Sequence, residues 1–219
     1  MDTHSLSNYR HKRQHAQIRA AARTLAEGGV VAIPTDTVYA LAASPFSEDA
    51  IERIFSIKNR QTNTPFPLLI NDGKQLSRWT TKVSVSATKL IEAYWPGPLT
   101  LVLPKNQVIP DSVTAGKDTV ALRVPDHIVP RELAQLLDGP ITGTSANRSK
   151  ETPLTNAPAV RKELGSKVDM IIDGGPSLWS MASTVLDVST CIPRILREGT
   201  LSAEQIQLVV GNMKVERAL

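Results

Sequence analysis

From residue 16 to residue 210 the chain alternates short apolar, β-branched runs with stretches of helical period, an order that argues for a sheet flanked by helices. Ile18, Ala21, Ala22 and Leu25 mark one helical face, and Gly28-Gly29 stops it. The apolar runs at 30–33, 68–70, 99–103, 120–124, 141–144, 170–172, 184–188 and 195–197 read as strands. Ser47 is placed to cap a helix whose first turn holds Glu48 and Asp49. Further helices are expected over 84–95, from Pro130 as a first helical residue, over 158–164, and from Ser202, where Gln205 completes a capping box. The fold class expected is α/β, or α+β, built on a mixed sheet.

Composition removes several classes of function. Hydrophobic residues are 41% and charged residues 21% of the 219, which supports a packed core in a single domain. No apolar run is long enough to span a bilayer, and the polar N-terminus lacks the apolar segment of a secretory signal. A cytoplasmic protein with no membrane partner is expected. Cys191 is the lone cysteine, so neither a disulfide framework nor a cysteine zinc site is available. Three of the four histidines (His4, His11, His15) precede residue 16, and His127 stands far from them. That spacing argues against a histidine metal site or a Ser-His-Asp triad. The excess of 25 Lys+Arg over 21 Asp+Glu gives a net charge of +4, which permits anionic ligands without implying nucleic acid. Residues 1–15, with Arg10, Lys12 and Arg13, read as a flexible basic arm, 16–210 as the domain and 211–219 as a tail.

Nucleotide-binding loops of the usual kinds are missing. Gly73-Lys74 and Gly116-Lys117 lack the rest of a Walker loop, and no dinucleotide fingerprint appears. Phosphate, if handled, must be held by scattered cations and hydroxyls. Pro34-Thr35-Asp36-Thr37 follows an apolar strand, where ligand crevices form, although such a loop also serves as a plain turn. Lys58 can close a helix while Arg60 leaves it, so that both heads reach one anion; cations there also simply stabilise a helix end. Arg123 ends an apolar strand, where a charge is costly unless paired, so it is a structural ion pair or a carboxylate or phosphate clamp. Ser145 and Asn147 are two apart and face one side of an extended chain. Ser183-Thr184 opens a strand and Arg197 ends one before Glu198-Gly199. Trp179-Ser180-Met181 is either a lip of such a cavity or part of the core.

Together these segments resemble the YrdC family of threonylcarbamoyl-AMP synthases. The matching stretches are residues 29–41 (GVVAIPTDTVYAL), 58–60 (KNR), 95–101 (WPGPLTL), 120–125 (VALRVP), 144–147 (TSAN), 183–187 (STVLD) and 195–199 (ILREG), in family order. The resemblance implies a twisted, mostly mixed sheet with a concave basic cavity, in the short, single-domain form. It implies formation of threonylcarbamoyl-AMP and pyrophosphate from L-threonine, bicarbonate and ATP. That product feeds N6-threonylcarbamoyladenosine at position 37 of tRNA through a separate transferase complex. By resemblance Lys58, Arg60, Thr119, Ser145, Asn147, Thr155 and Arg197 hold ATP, with Lys58 and Arg60 closest to the chemistry. Thr35, Arg123 and Ser183 hold L-threonine. Mg²⁺ arrives with ATP, near Ser145 and Asn147, and no side chain is assigned as its ligand.

The chain departs from the family pattern at four single positions, and Phe66-Pro67 alters the step that follows Thr64. Ala40 stands where glycine is usual, Gln61 where proline is usual, Thr64 where lysine, histidine or asparagine is frequent, and Lys150 where glycine is usual. Ala40 is shared with the YciO-type branch. The alternative reading is therefore an RNA-binding YrdC/YciO-like protein without synthase activity, its basic arm making a weak tRNA or double-stranded RNA contact.

Overall fold

A computed structural model describes residues 3–211 and 215–217, with side chains from residue 13 onward. In chain order the elements are α1 (Thr3–Ala26), β1 (Val31–Ile33), β2 (Ala40–Ala42), α2 (Glu48–Lys58), β3 (Leu68–Leu69), a 3-10 turn (Gly73–Gln75), α3 (Leu76–Trp79), α4 (Val85–Tyr94), β4 (Leu99–Pro104) and α5 (Asp111–Thr114). There follow β5 (Thr119–Arg123), α6 (Ile128–Leu136), β6 (Ile141–Thr142), β7 (Thr144–Ser145), α7 (Ala157–Leu164), β8 (Met170–Ile171), β9 (Thr184–Asp187), β10 (Arg194–Arg197), α8 (Ala203–Val210) and β11 (Glu216–Arg217).

The strands form two mixed sheets, in the orders β7-β2-β1-β8 and β11-β10-β9-β4-β5-β3-β6, rather than one. The run expected as a strand over 141–144 is divided at Gly143, so β6 joins the larger sheet and β7 the smaller. A Cβ at Gly143 would sit 2.5 Å from Leu69 Cγ, closer than packed atoms approach, so only glycine lets the chain turn there. Its N–H donates to the Pro67 carbonyl at 2.8 Å, anchoring the crossover beside the loop that follows α2.

Helix ends follow the chemistry of their residues. Ser47 Oγ accepts from Ala50 N, and Asn59 closes α2 with φ of 48°, a left-handed turn that asparagine tolerates. Ser202 and Gln205 form the reciprocal cap of α8. Helix α6 begins at Ile128, two residues before Pro130, because His127 Nδ1 accepts from Val129 N at 3.2 Å and serves as the cap. A small apolar cluster, including Ile18, Leu25, Ile33, Val129 and Leu133, joins α1, α6 and the smaller sheet. The main core fills the remaining space around the larger sheet.

Both expected tails carry structure. Residues 3–15 continue α1 instead of forming a flexible arm, for residues 3–26 contain neither glycine nor proline and His15 Nδ1 meets Glu132 at 3.1 Å. The side chains of Arg10 and Lys12 lie outside the described residues. Within 211–219, Glu216 and Arg217 add a parallel strand beside Arg194 and Ile195, and residues 212–214 and 218–219 lie outside the described set.

Candidate active site

Alternate residues of four adjacent strands face one way and floor a cavity of about 590 Å³. Thr100 and Val102 come from β4, and Thr119, Ala121 and Arg123 from β5. Val185 and Asp187 of β9 and Arg194 and Leu196 of β10 extend the floor. Arg197 breaks the alternation. A register shift between Ile195 and Arg197 sets Arg197 opposite Val185, so consecutive residues Leu196 and Arg197 both reach the cavity. Ala40 and the loop at Thr35, Thr37 and Val38 form part of the opposite wall, and Arg60, Thr144 and Ser145 part of another.

At one end the site is rich in hydroxyls. Thr35 Oγ1 donates to Val38 O at 2.7 Å and accepts from Thr37 N and Val38 N, so the expected turn bonds are present in a residue that also faces the cavity. Arg123 is buried against Asp36, with Nη2 2.6 Å from Oδ1. Its Nη1 donates to Thr37 Oγ1 at 2.9 Å and its Nε to the Gly97 carbonyl at 2.9 Å. Arg123 is thus ion-paired, as the first of the two sequence alternatives has it, and it also faces the cavity. Ser183 Oγ lies 2.9 Å from Thr100 Oγ1.

Arg197 joins this end to a more cationic one. Its Nη2 donates to Ser183 O at 2.8 Å and to Ser183 Oγ at 3.2 Å. Gly199 makes that approach feasible, because a Cβ there would lie 2.2 Å from the Ala182 carbonyl oxygen. Arg60 donates to Pro65 O at 3.2 Å and lies 5.2 Å above the Phe66 ring. Burial disfavours the charge on Arg60, and burial with the nearby Arg123 and Arg60 charges does so at Arg197. A buried cation without a carboxylate is stabilised by any anion that enters.

Lys58 is near this cluster but does not face the cavity. Its ammonium is buried and donates to the main-chain oxygens of Ser145 and Asn147, with Ser145 Oγ 3.5 Å away. Burial, followed by the charge of Arg60, lowers its pKa to about 8. Asn147 also lies behind the wall, its Nδ2 donating to Glu151 O at 2.6 Å. Thr155 is outside as well, its carbonyl accepting from Ser177 N. The cavity therefore gathers Thr35, Arg60, Thr119, Arg123, Ser145, Ser183 and Arg197, while Lys58, Asn147 and Thr155 stand around it.

Sequence reasoning missed Thr100, Lys117, Asp187 and Arg194 as lining residues, while Thr37 lies in the loop it singled out. Period-two counting from Ser183 reaches Asp187, and from Val102 reaches Thr100, so the signal existed once the facing strand side was known. Trp179 and Met181 are exposed and precede the lining residues Ala182 and Ser183, so the Trp-Ser-Met segment is not core. Among the described residues no cluster of three His, Cys, Asp or Glu side chains is suited to a metal ion, and no helix is long and apolar enough to cross a membrane.

A family model named Sua5_yciO_yrdC and described as telomere recombination matches residues 23–199. The chain belongs to this Sua5/YciO/YrdC family. It is 39% identical over 212 residues to a threonylcarbamoyl-AMP synthase of Pyrococcus abyssi, covering 97% of this chain and 62% of that protein. The crystal structure of P. abyssi Sua5 complexed with L-threonine superposes with a TM-score of 0.86 at 40% identity, over 91% of this chain and 58% of that one. Escherichia coli YciO superposes with a TM-score of 0.79 at 29% identity, over 88% of this chain and 93% of that one. The chain thus spans about three fifths of the length of the P. abyssi family member and nearly all of YciO.

Proposed function

We propose that the chain is an L-threonylcarbamoyladenylate synthase, a nucleotidyltransferase that makes threonylcarbamoyl-AMP and pyrophosphate from L-threonine, bicarbonate and ATP. The observation that carries the reading is one cavity in which a hydroxyl-rich end at Arg123 adjoins a guanidinium end at Arg60 and Arg197. The volume, about 590 Å³, lies within the usual range for small-molecule sites. The relative's name and the L-threonine complex of P. abyssi Sua5 support the same assignment.

The threonine amine first attacks the carbon of bicarbonate, a C–O bond breaks and water leaves, giving N-carboxy-threonine. Its carboxylate oxygen attacks the α-phosphorus of ATP, the bond to the bridging oxygen breaks, and pyrophosphate leaves. No protein nucleophile takes part, so positioning and charge neutralisation are what the protein supplies. Arg60 and Arg197 hold the phosphates, with Ser145 and Thr119 as nucleotide contacts. Lys58 and Asn147 fix the Ser145 turn, and the Lys58 ammonium adds positive potential behind it. Arg123 takes the amino-acid carboxylate, and Thr35 and Ser183 the rest of L-threonine. Mg²⁺ would enter with ATP and supply neutralisation of phosphate charge; Ser145 and Asn147 are the nearby oxygen donors, the Asn147 Nδ2 being bonded to Glu151 O and its Oδ1 lying 3.4 Å from Lys58 Nζ.

The reading assigns the work to the cytoplasm, with the product passed to the transferase complex that modifies tRNA. Pyrophosphate release tests it. Release should require ATP, L-threonine and bicarbonate together, with threonylcarbamoyl-AMP detected by mass. Folded protein that releases none above background removes the proposal.

A further inference from the structure

Thr35 and Thr37 both face the cavity, and the carboxylate between them does not. Asp36 is 3% exposed and Arg123, against it, 5%. Arg123 commits donors to Asp36, Thr37 and Gly97, while Asp36 returns one oxygen only. The other, Oδ2, is buried with no hydrogen-bond partner among the described residues. A carboxylate kept for the fold alone should use both oxygens, because burying an ion is compensated only when its hydrogen-bonding sites are filled. The charge at Asp36 therefore asks for another explanation, and Arg123 supplies it.

Four guanidiniums line this cavity, those of Arg60, Arg123, Arg194 and Arg197, and among the described residues only Arg123 is paired with a buried carboxylate. We propose that Asp36 sorts the two anionic ligands of the site: it neutralises Arg123, reserving that guanidinium for the carboxylate of an amino acid, and leaves polyphosphate to Arg60 and Arg197. The inference rests on the synthase reading and deepens it. A pyrophosphate or triphosphate group carries several negative charges and is repelled by a carboxylate behind Arg123. A zwitterionic amino acid brings its own ammonium and meets no such penalty. Repulsion of the wrong ligand is a route to specificity as effective as attraction of the right one. Asp36 acts through Arg123, so it is a positioning residue and not a catalytic one.

Calorimetric titration of the full chain tests the idea, with L-threonine alone, pyrophosphate alone, and L-threonine in saturating pyrophosphate. The wild type should bind both at once, its threonine Kd changing less than threefold when pyrophosphate is present. Asp36→Asn should tighten pyrophosphate at least threefold and make the two compete, so that threonine binds at least tenfold more weakly in saturating pyrophosphate. Asp36→Glu, which keeps the charge, should restore simultaneous binding. Damage to the fold alone would weaken both ligands and create no competition. Competition in the wild type overturns the sorting role whether or not the variant folds, and so does an Asp36→Asn protein in which the ligands still bind independently. A wild type that binds neither ligand overturns the synthase reading as well, an outcome distinct from binding both without sorting them.

Discussion

Lys58 Nζ donates to the main-chain oxygen of Asn147 at 2.8 Å, tying the end of α2 to the turn that presents Ser145. An ammonium is suited to this because it has three donors and no acceptor. Replacing it removes the donor from the buried Asn147 carbonyl, at about 1–3 kcal/mol, while the Ser145 carbonyl keeps the Asn147 N–H.

Lys58→Met should therefore lower pyrophosphate release far more than it lowers L-threonine affinity, since the cationic end is next to this turn. A decrease of at least a hundredfold in kcat/KM for ATP is expected, with the threonine Kd within threefold. Equal losses for both ligands would contradict a role local to the Ser145 turn.

The depressed pKa of Lys58, about 8, gives a second test. The unfolded lysine titrates near 10.4, so between about pH 8 and 10 the unfolded state holds more protons and stability rises with pH. The burial penalty is thus present below pH 8 and released above it. An entering polyphosphate restores the proton. Titrating pyrophosphate at pH 8.5 in buffers of different ionisation enthalpy should show proton uptake in the wild type and less in Lys58→Met. Identical uptake in both proteins would place the titrating group elsewhere.

Arg60 and Arg197 face the cavity with no carboxylate partner among the described residues. Removing a charge-assisted bond to phosphate costs roughly 1.5–3 kcal/mol, or about 10- to 150-fold in Kd. Arg60→Ala and Arg197→Ala should each weaken pyrophosphate by that factor. They should separate on threonine. Arg197 holds Ser183 through both its carbonyl and its hydroxyl, so only its loss should also raise the threonine KM. Unchanged threonine kinetics in Arg197→Ala would remove that link.

Much of this arrangement was legible because it depends on local chemistry. Ser47, Ser202 and Gln205 cap the helices that their types suggest, and Val120 and Leu122 lie buried in a strand as their apolar run implies. What was hidden depends on single backbone departures. The turn at Asn59 directs Lys58 behind the wall and Arg60 into the cavity, a division that residue type does not encode. The bulge in β10 brings Arg197 onto the face already occupied by Leu196, against simple alternation. Gly143 sends one apolar run into two sheets because of its approach to Leu69, a residue 74 positions earlier. Tertiary neighbours fix each of these, and no window of sequence contains them.

Lys150 has φ of 72°, in the left-handed region where a side chain is strained. The family's usual glycine at this place has a backbone reason, and this chain bears the strain. Lys150→Gly should stabilise the protein by up to about 1 kcal/mol, read as a higher urea midpoint with an unchanged slope. A lower midpoint would mean that the lysine side chain contributes more than its backbone costs.

Ala40 is the other departure from a family glycine, and its situation is the reverse. It opens β2 in extended backbone, pairs with Ile33 and Ser145, and is buried at the cavity wall. No left-handed conformation is demanded, so the methyl group fits without strain. Removing it adds backbone freedom to the unfolded chain, about 0.5–1 kcal/mol, and uncovers roughly one methyl of buried surface. Ala40→Gly should lower stability by about 1–2 kcal/mol while pyrophosphate release stays within twofold of the wild type. If release instead rises tenfold or more, the methyl narrows the space that the substrates need, and Ala40 would mark a weakened enzyme.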